Sequence, residues 1–132
     1  MLLVDTNVLV DVLQDDPQWA NWSIGQLRAQ ASVHQLTINP VIYAEMSLSF
    51  STLEGLDSAV STLALELREI PRPALFLAAK AFVQYRRRGG NKLQVLPDFF
   101  IGAHAAVEGW PLLTRDASRF GTYFPTLEVI AP

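Results

Sequence analysis

The sequence contains no cysteine, which excludes a disulfide framework and any thiolate metal site. It has only two histidines, His34 and His104, and neither has a second histidine at ligand spacing. Both are therefore expected to be surface or packing residues, and a bound metal is left mainly with oxygen donors. Positive charge is also scarce. Ten Lys and Arg against thirteen Asp and Glu leave a formal charge of −3, too little for bulk positive potential to hold a nucleic acid. A nucleic-acid enzyme of this composition needs a local basic patch, a bound cation, or both. Long hydrophobic runs are missing too: Met1-Leu2-Leu3-Val4 stops at Asp5, too early for a signal-peptide core or a membrane span. The expected location is the cytoplasm, with no membrane partner. No repeat or linker-like tract divides the 132 residues, half of them hydrophobic, so one packed domain covering 1–132 is expected.

What is present is an alternation of short apolar runs with longer helical stretches. Leu2-Leu3-Val4 reads as a short buried strand, and Asp5-Thr6-Asn7 can cap a helix from Val8 to about Leu13. Pro17 suits the start of a second helix to Ala31, whose Trp19 and Trp22 fit a core or dimer surface better than a base-stacking platform. Leu36-Thr37-Ile38 is a second strand, with Asn39-Pro40 as N-cap and first residue of the next helix. Gly55 is expected to break the chain before a helix capped by Asp57 or Ser58 and reaching about Glu69. A further helix runs from Ala74 into Arg86-Arg87-Arg88 and ends at Gly89-Gly90-Asn91. Pro97 opens another, with Asp98 in its first turn. Pro111-Leu112-Leu113-Thr114 and Leu127-Glu128-Val129-Ile130 are the last strands. This alternation predicts an α/β fold, a central parallel sheet flanked by helices on both faces.

In open parallel sheets, ligands bind outside the carboxyl ends of the strands, where loops and helix N-termini converge. Four acids have such addresses: Asp5 after the first strand, Glu45 in the helix after the second, Asp98 at a helix start, and Asp116 after a later strand. Each alone has a plain structural explanation, as a cap, a turn or a solvated helix residue. The set does not. Glu45 sits among Ile42, Tyr43, Ala44 and Met46, and Asp98 precedes Phe99-Phe100-Ile101. Carboxylates gathered beside a core repel one another and resist desolvation unless something positive neutralises them. Hard divalent cations do so through oxygen ligands, which points to Mg²⁺ or Mn²⁺.

The segments Val4-Asp5-Thr6-Asn7-Val8-Leu9, Tyr43-Ala44-Glu45, Asp98-Phe99-Phe100-Ile101-Gly102-Ala103-His104-Ala105 and Leu113-Thr114-Arg115-Asp116 resemble, in order and approximate spacing, the signature of PIN-domain nucleases. The short chain is similar, within that group, to VapC toxins, and the resemblance covers nearly all of it. It implies that Asp5, Glu45, Asp98 and Asp116 form a catalytic metal site. It also implies that Thr6, Asn7 and Thr114 orient carboxylates or water through hydrogen bonds. The implied reaction is metal-dependent cleavage of single-stranded RNA to a 5′-phosphate and a 3′-hydroxyl. The implied partners are a second copy of the chain and a small antitoxin protein that blocks the acidic cleft. Many relatives carry another acidic or amide residue shortly after the fourth acid. Here Ser118-Arg119-Phe120 follow, which leaves one ion or two open. Stand-alone PIN domains also process RNA, and some PIN-like modules serve as scaffolds, so those roles stay open beside the toxin.

Arg86, Arg87, Arg88 and Lys92 form the densest basic cluster, either a patch that tracks an RNA backbone or a solvated helix end. Arg115, directly beside Asp116, is the better candidate for a phosphate contact. A haloacid-dehalogenase-type phosphatase also opens with a strand and an aspartate, but it needs a second aspartate where Asn7 stands. A receiver-type phospho-acceptor expects an aspartate after the middle strand, which instead leads into Asn39-Pro40.

Overall fold

All three residues of the first strand, β1 (Leu2–Val4), are buried, as are all three of β2 (Leu36–Ile38). Successive strand side chains point to opposite faces, so three buried in a row require cover on both faces of the sheet. A computed structural model, which describes residues 1–132, shows that cover. Helices α1 (Thr6–Leu13) and α2 (Ala20–Ala31) follow β1, and α3 (Pro40–Met46) and α4 (Leu53–Thr62) follow β2. After β3 (Glu66–Leu67) come α5 (Arg72–Arg87) and α6 (Leu96–Glu108), then β4 (Leu112–Leu113), α7 (Ser118–Tyr123) and β5 (Val129–Ile130). The five strands are all parallel, in the order β3-β2-β1-β4-β5. The α/β expectation is met.

The order has a direct consequence for the site. The chain steps from β1 outward through β2 to β3, then crosses back to lay β4 on the other side of β1. The connections before and after that reversal leave in opposite directions, which opens a crevice beyond the carboxyl ends of β1 and β4. Packing of α3 against α6 brings a third and a fourth segment to the same end.

Local chemistry explains where the elements begin and end, including three places that differ from expectation. The second helix starts at Ala20, not Pro17, because Asp16 Oδ1 accepts from the backbone N of Gln18 (2.9 Å) and Trp19 (2.8 Å) and holds a turn there. Gly55 does not break the chain; it lies inside α4, whose cap is Thr52, accepting from Gly55 N at 3.0 Å. That helix ends at Thr62 rather than near Glu69. Ala64 takes a left-handed backbone (φ 53°), and Glu66–Leu67 pairs with β2 as an edge strand. Helix α7, between Asp116 and β5, had no distinct sequence signal.

The core is continuous, with Phe99 of α6 at its aromatic centre. Its ring meets Phe82 and Tyr85 of α5 at 5.6 Å each, and Tyr123 of α7 at 5.3 Å. Helix α7 can approach because α6 offers a glycine. A Cβ built on Gly102 would lie 2.5 Å from Phe124 Cε2 and 3.0 Å from Phe120 Cδ1. Gly25 of α2, by contrast, has nothing within 4 Å of its Cβ position. Urea unfolding is therefore expected to show opposite effects of one chemical change. Gly102→Ala should lose about 1–3 kcal/mol through overpacking, and Gly25→Ala should gain about 0.5–1 kcal/mol by relieving a mid-helix glycine.

Candidate active site

Asp5 occupies the N-cap position of α1 in an extended conformation, yet its side chain makes no capping hydrogen bond. An aspartate at a helix start normally spends its carboxylate on the first backbone N–H groups. Here the carboxylate points elsewhere and is only 5% exposed. It accepts from Thr114 Oγ1 at 2.8 Å and from Asn7 Nδ2 at 3.3 Å. Thr114 itself stands just beyond β4 and accepts from the Asp116 backbone N at 3.1 Å. Asn7 Oδ1 accepts from Arg115 N at 3.1 Å. The ends of β1 and β4 are thus joined by side chains as well as by the strand ladder. Thr6 turns the other way, donating to Glu45 Oε1 at 2.6 Å.

Asp5, Glu45, Asp98 and Asp116 all line one pocket of about 290 Å³, together with Thr6, Asn7, Arg115 and Arg119. The four acids named from sequence are brought together. They also sense one another. Asp5 is pushed up to about 7, first by burial and further by the charges of Asp98 and Glu45, against the opposing bond from Thr114. Burial likewise raises Glu45, helped by Asp98. It raises Asp98 too, helped by Asp116, while Arg119 pulls it down.

Whether a hard cation fits can be judged from these donors. They are all oxygen, their mutual repulsion and burial oppose ionisation, and a divalent cation is the group that removes both penalties. The carboxylates do not already close into a three-ligand cage; each is held by a neighbouring donor, Asp5 by Thr114 and Asn7, Glu45 by Thr6, Asp98 Oδ2 by Arg119 Nη1 at 2.7 Å, and Asp116 Oδ1 by Ser118. The donor chemistry fits Mg²⁺ or Mn²⁺.

The basic residues fall into two groups. Arg115 lines the pocket but is held in a bidentate pair with Asp11, Nε to Oδ2 at 2.9 Å and Nη2 to Oδ1 at 3.1 Å, with Trp19 beneath its guanidinium. Asp11 is 2% exposed and also accepts from Ser23 Oγ at 2.8 Å. Sequence reasoning missed this acid. Its signal was a charge among Val8, Leu9, Val10, Val12 and Leu13, one helical turn after Asn7. Arg86, Arg87, Arg88 and Lys92 are exposed at and after the end of α5, and none lines the acidic pocket.

His104 is a packing residue, fully buried 5.2 Å from the ring of Trp110. It is also tied to the site at one remove. Asn39 caps α3 through Oδ1, which accepts from Ile42 N at 3.0 Å, so its Nδ2 donates to His104 Nδ1 at 3.1 Å. That leaves the imidazole proton on Nε2, which is buried without a partner. Burial lowers the His104 pKa, so the neutral ring that this bond needs persists.

A family model described as PIN domain matches residues 2–121. The chain belongs to the PIN-domain family. PIN domains are nucleases that generally use divalent metal ions, and the acidic pocket of this PIN domain is lined by Asp5 after β1 and Asp116 after β4. No curated protein matches the sequence significantly, but solved structures match its fold over nearly the whole length. A chain of VapBC2 from Rickettsia felis, solved on a promoter DNA fragment, is 18% identical with a TM-score of 0.74, covering 98% of this chain and 97% of that one. A chain of a toxin–antitoxin complex from Klebsiella pneumoniae is 21% identical with a TM-score of 0.71, covering 98% and 96%. VapBC-1 from nontypeable Haemophilus influenzae gives 16% identity and a TM-score of 0.74, again covering 98% and 96%. At such identity the likeness is one of fold.

Two expectations follow for this PIN domain. Between its unfolded value of 3.8 and its folded value of about 7, Asp5 binds more proton in the folded state, so stability falls as pH rises through that window and levels off above it. Urea titrations in EDTA at about pH 5 and about pH 8 should show the wild type losing more stability than Asp5→Asn; equal losses would contradict the assignment. Replacing Arg115 by Met should lower stability by on the order of 3 kcal/mol, since Asp11 is then buried with Ser23 alone. An unchanged unfolding midpoint would show the pair to be unimportant.

Proposed function

We propose that this PIN domain is an endoribonuclease that hydrolyses phosphodiesters of single-stranded RNA with Mg²⁺ or Mn²⁺, and that it is the toxin of a type II toxin–antitoxin pair. The observation that carries the reading is the convergence of Asp5, Glu45, Asp98 and Asp116 on one pocket at the sheet's switch point. These four residues would hold the ion. When bound, the ion supplies Lewis acidity toward phosphodiester oxygens and a means of ionising water near neutral pH. The chain's own groups supply position. Thr114 and Asn7 fix Asp5, and Thr6 fixes Glu45. No protein nucleophile is required, since water can attack phosphorus directly.

The toxin role is supported by the match in length and fold to chains from toxin–antitoxin complexes. It is also supported by apolar surface suited to protein partners. Leu48 and Leu53 are 90% and 63% exposed just after the helix that bears Glu45, a place where an antitoxin segment can dock. Phe76 and Val83, two turns apart on α5, are exposed as well and suit a second copy of the chain.

The purified protein is expected to cleave single-stranded RNA with Mg²⁺ or Mn²⁺ and not with EDTA. Asp98→Asn should lose at least about a hundredfold in rate, and Mn²⁺ calorimetry should show its affinity reduced. Induced expression should arrest growth, and Asp98→Asn should relieve the arrest. Metal-blind calorimetry would overturn the nuclease, whereas RNA cleavage without growth arrest would overturn only the toxin.

A further inference from the structure

We infer that a second pocket, separated from the acidic one by Arg119, holds a nucleobase of the RNA strand next to the phosphate being cleaved; this rests on the ribonuclease reading above. The pocket, about 260 Å³, is lined by Tyr85, Ser118, Arg119, Thr122 and Tyr123. Arg119 is the residue common to both walls. Its Nη1 reaches Asp98 on one side, and its guanidinium lies 5.9 Å from the Tyr85 ring centre on the other. The guanidinium of Arg88 sits 5.3 Å from the ring of Tyr123. Two tyrosine rings, 6.3 Å apart and nearly perpendicular, thus stand between two arginines.

That sequence of groups matches a nucleotide chain, in which a flat π surface alternates with anions. Aromatic rings stack bases regardless of identity, and arginines beside them add cation–π and phosphate contacts. The rings are set in advance, because each packs on Phe99, and Tyr85 also stacks on Phe82 at 5.9 Å, which leaves Tyr123 as the main ring for a base. The basic segment is also tied to the pocket. Lys92 N donates to the Tyr85 hydroxyl at 3.2 Å. A Cβ at Gly90 would lie 2.4 Å from the Tyr85 ring, so the loop after Arg86-Arg87-Arg88 closes onto that tyrosine only with glycine there. A chain of net charge −3 in this way places its densest cations one nucleotide pocket away from its acids. Trp19, beneath Arg115, is a poorer platform, because it lines neither pocket.

The test uses the metal-loaded wild-type protein and a short single-stranded RNA spanning a site that it cleaves, with an abasic residue introduced at each position in turn. One position beside the cleaved bond should lose roughly tenfold or more in kcat/KM. In Tyr123→Ala that position should become no more sensitive than the others. Thr122→Glu, at an exposed position lining this pocket, should raise KM several-fold with kcat and Mn²⁺ affinity unchanged, and it carries the test if Tyr123→Ala fails to fold. Cleavage that is equally sensitive at all positions, or Thr122→Glu with wild-type KM, overturns the pocket while leaving the ribonuclease intact. A wild type that cleaves no RNA overturns both.

Discussion

The hydrogen bond from Thr114 to Asp5 joins residues 109 apart in the chain, and the rest of the site is arranged around it. It exists because β1 and β4 lie side by side in parallel register, Val4 opposite Leu113, so the residues that follow each strand emerge together. Burial works against a charge at Asp5, and the donors from Thr114 and the Thr6 backbone offset only part of that cost. Neighbouring acids on α3 and α6 add to it. The fold holds this unfavourable cluster because the sheet beneath it is apolar and closely packed: Leu2, Leu3, Val4, Leu112 and Leu113 are fully buried. Stability made in the core is spent at the carboxyl edge.

Charge is distributed in layers around the cluster. Nearest are neutral hydroxyl and amide groups, which orient carboxylates without cancelling them. Next come two arginines with different commitments. Arg115 is locked by a buried acid and an aromatic ring, so it acts mainly as structure, whereas Arg119 meets Asp98 on the pocket wall and half faces a neighbouring aromatic hollow. Farther out lie Arg86, Arg87, Arg88 and Lys92, all exposed, with Arg88 resting against the Tyr123 ring. This gradient reconciles an acidic protein with the polyanionic substrate proposed for it, since attraction is supplied locally and the net charge matters little.

Much of this was legible in the residues. Strand-plus-cap patterns at Leu2–Asp5 and Leu36–Pro40 were local, so β1, β2, α3 and the four acids could be located without coordinates. Elements set by distant partners were not legible. Glu66–Leu67 became a strand only by pairing with β2, and α7 formed where Phe120 and Phe124 found a notch in α6. The commitments of charged side chains were hidden for the same reason. Nothing near Arg115 in sequence reveals that Asp11, on α1, takes its guanidinium, and nothing near His104 reveals Asn39.

Asp98 and Gly102 are four residues apart on α6 and so share one side of that helix. The first meets Arg119 and the second receives Phe120 and Phe124, all three from the short segment that follows Asp116. The helix therefore works as a ruler: the same rigid turn that seats the aromatic plug sets how far Asp98 stands from Arg119. Tolerance at this position is then governed by alignment as much as by bulk, and a chain that repacked its plug would also have to re-space its acids.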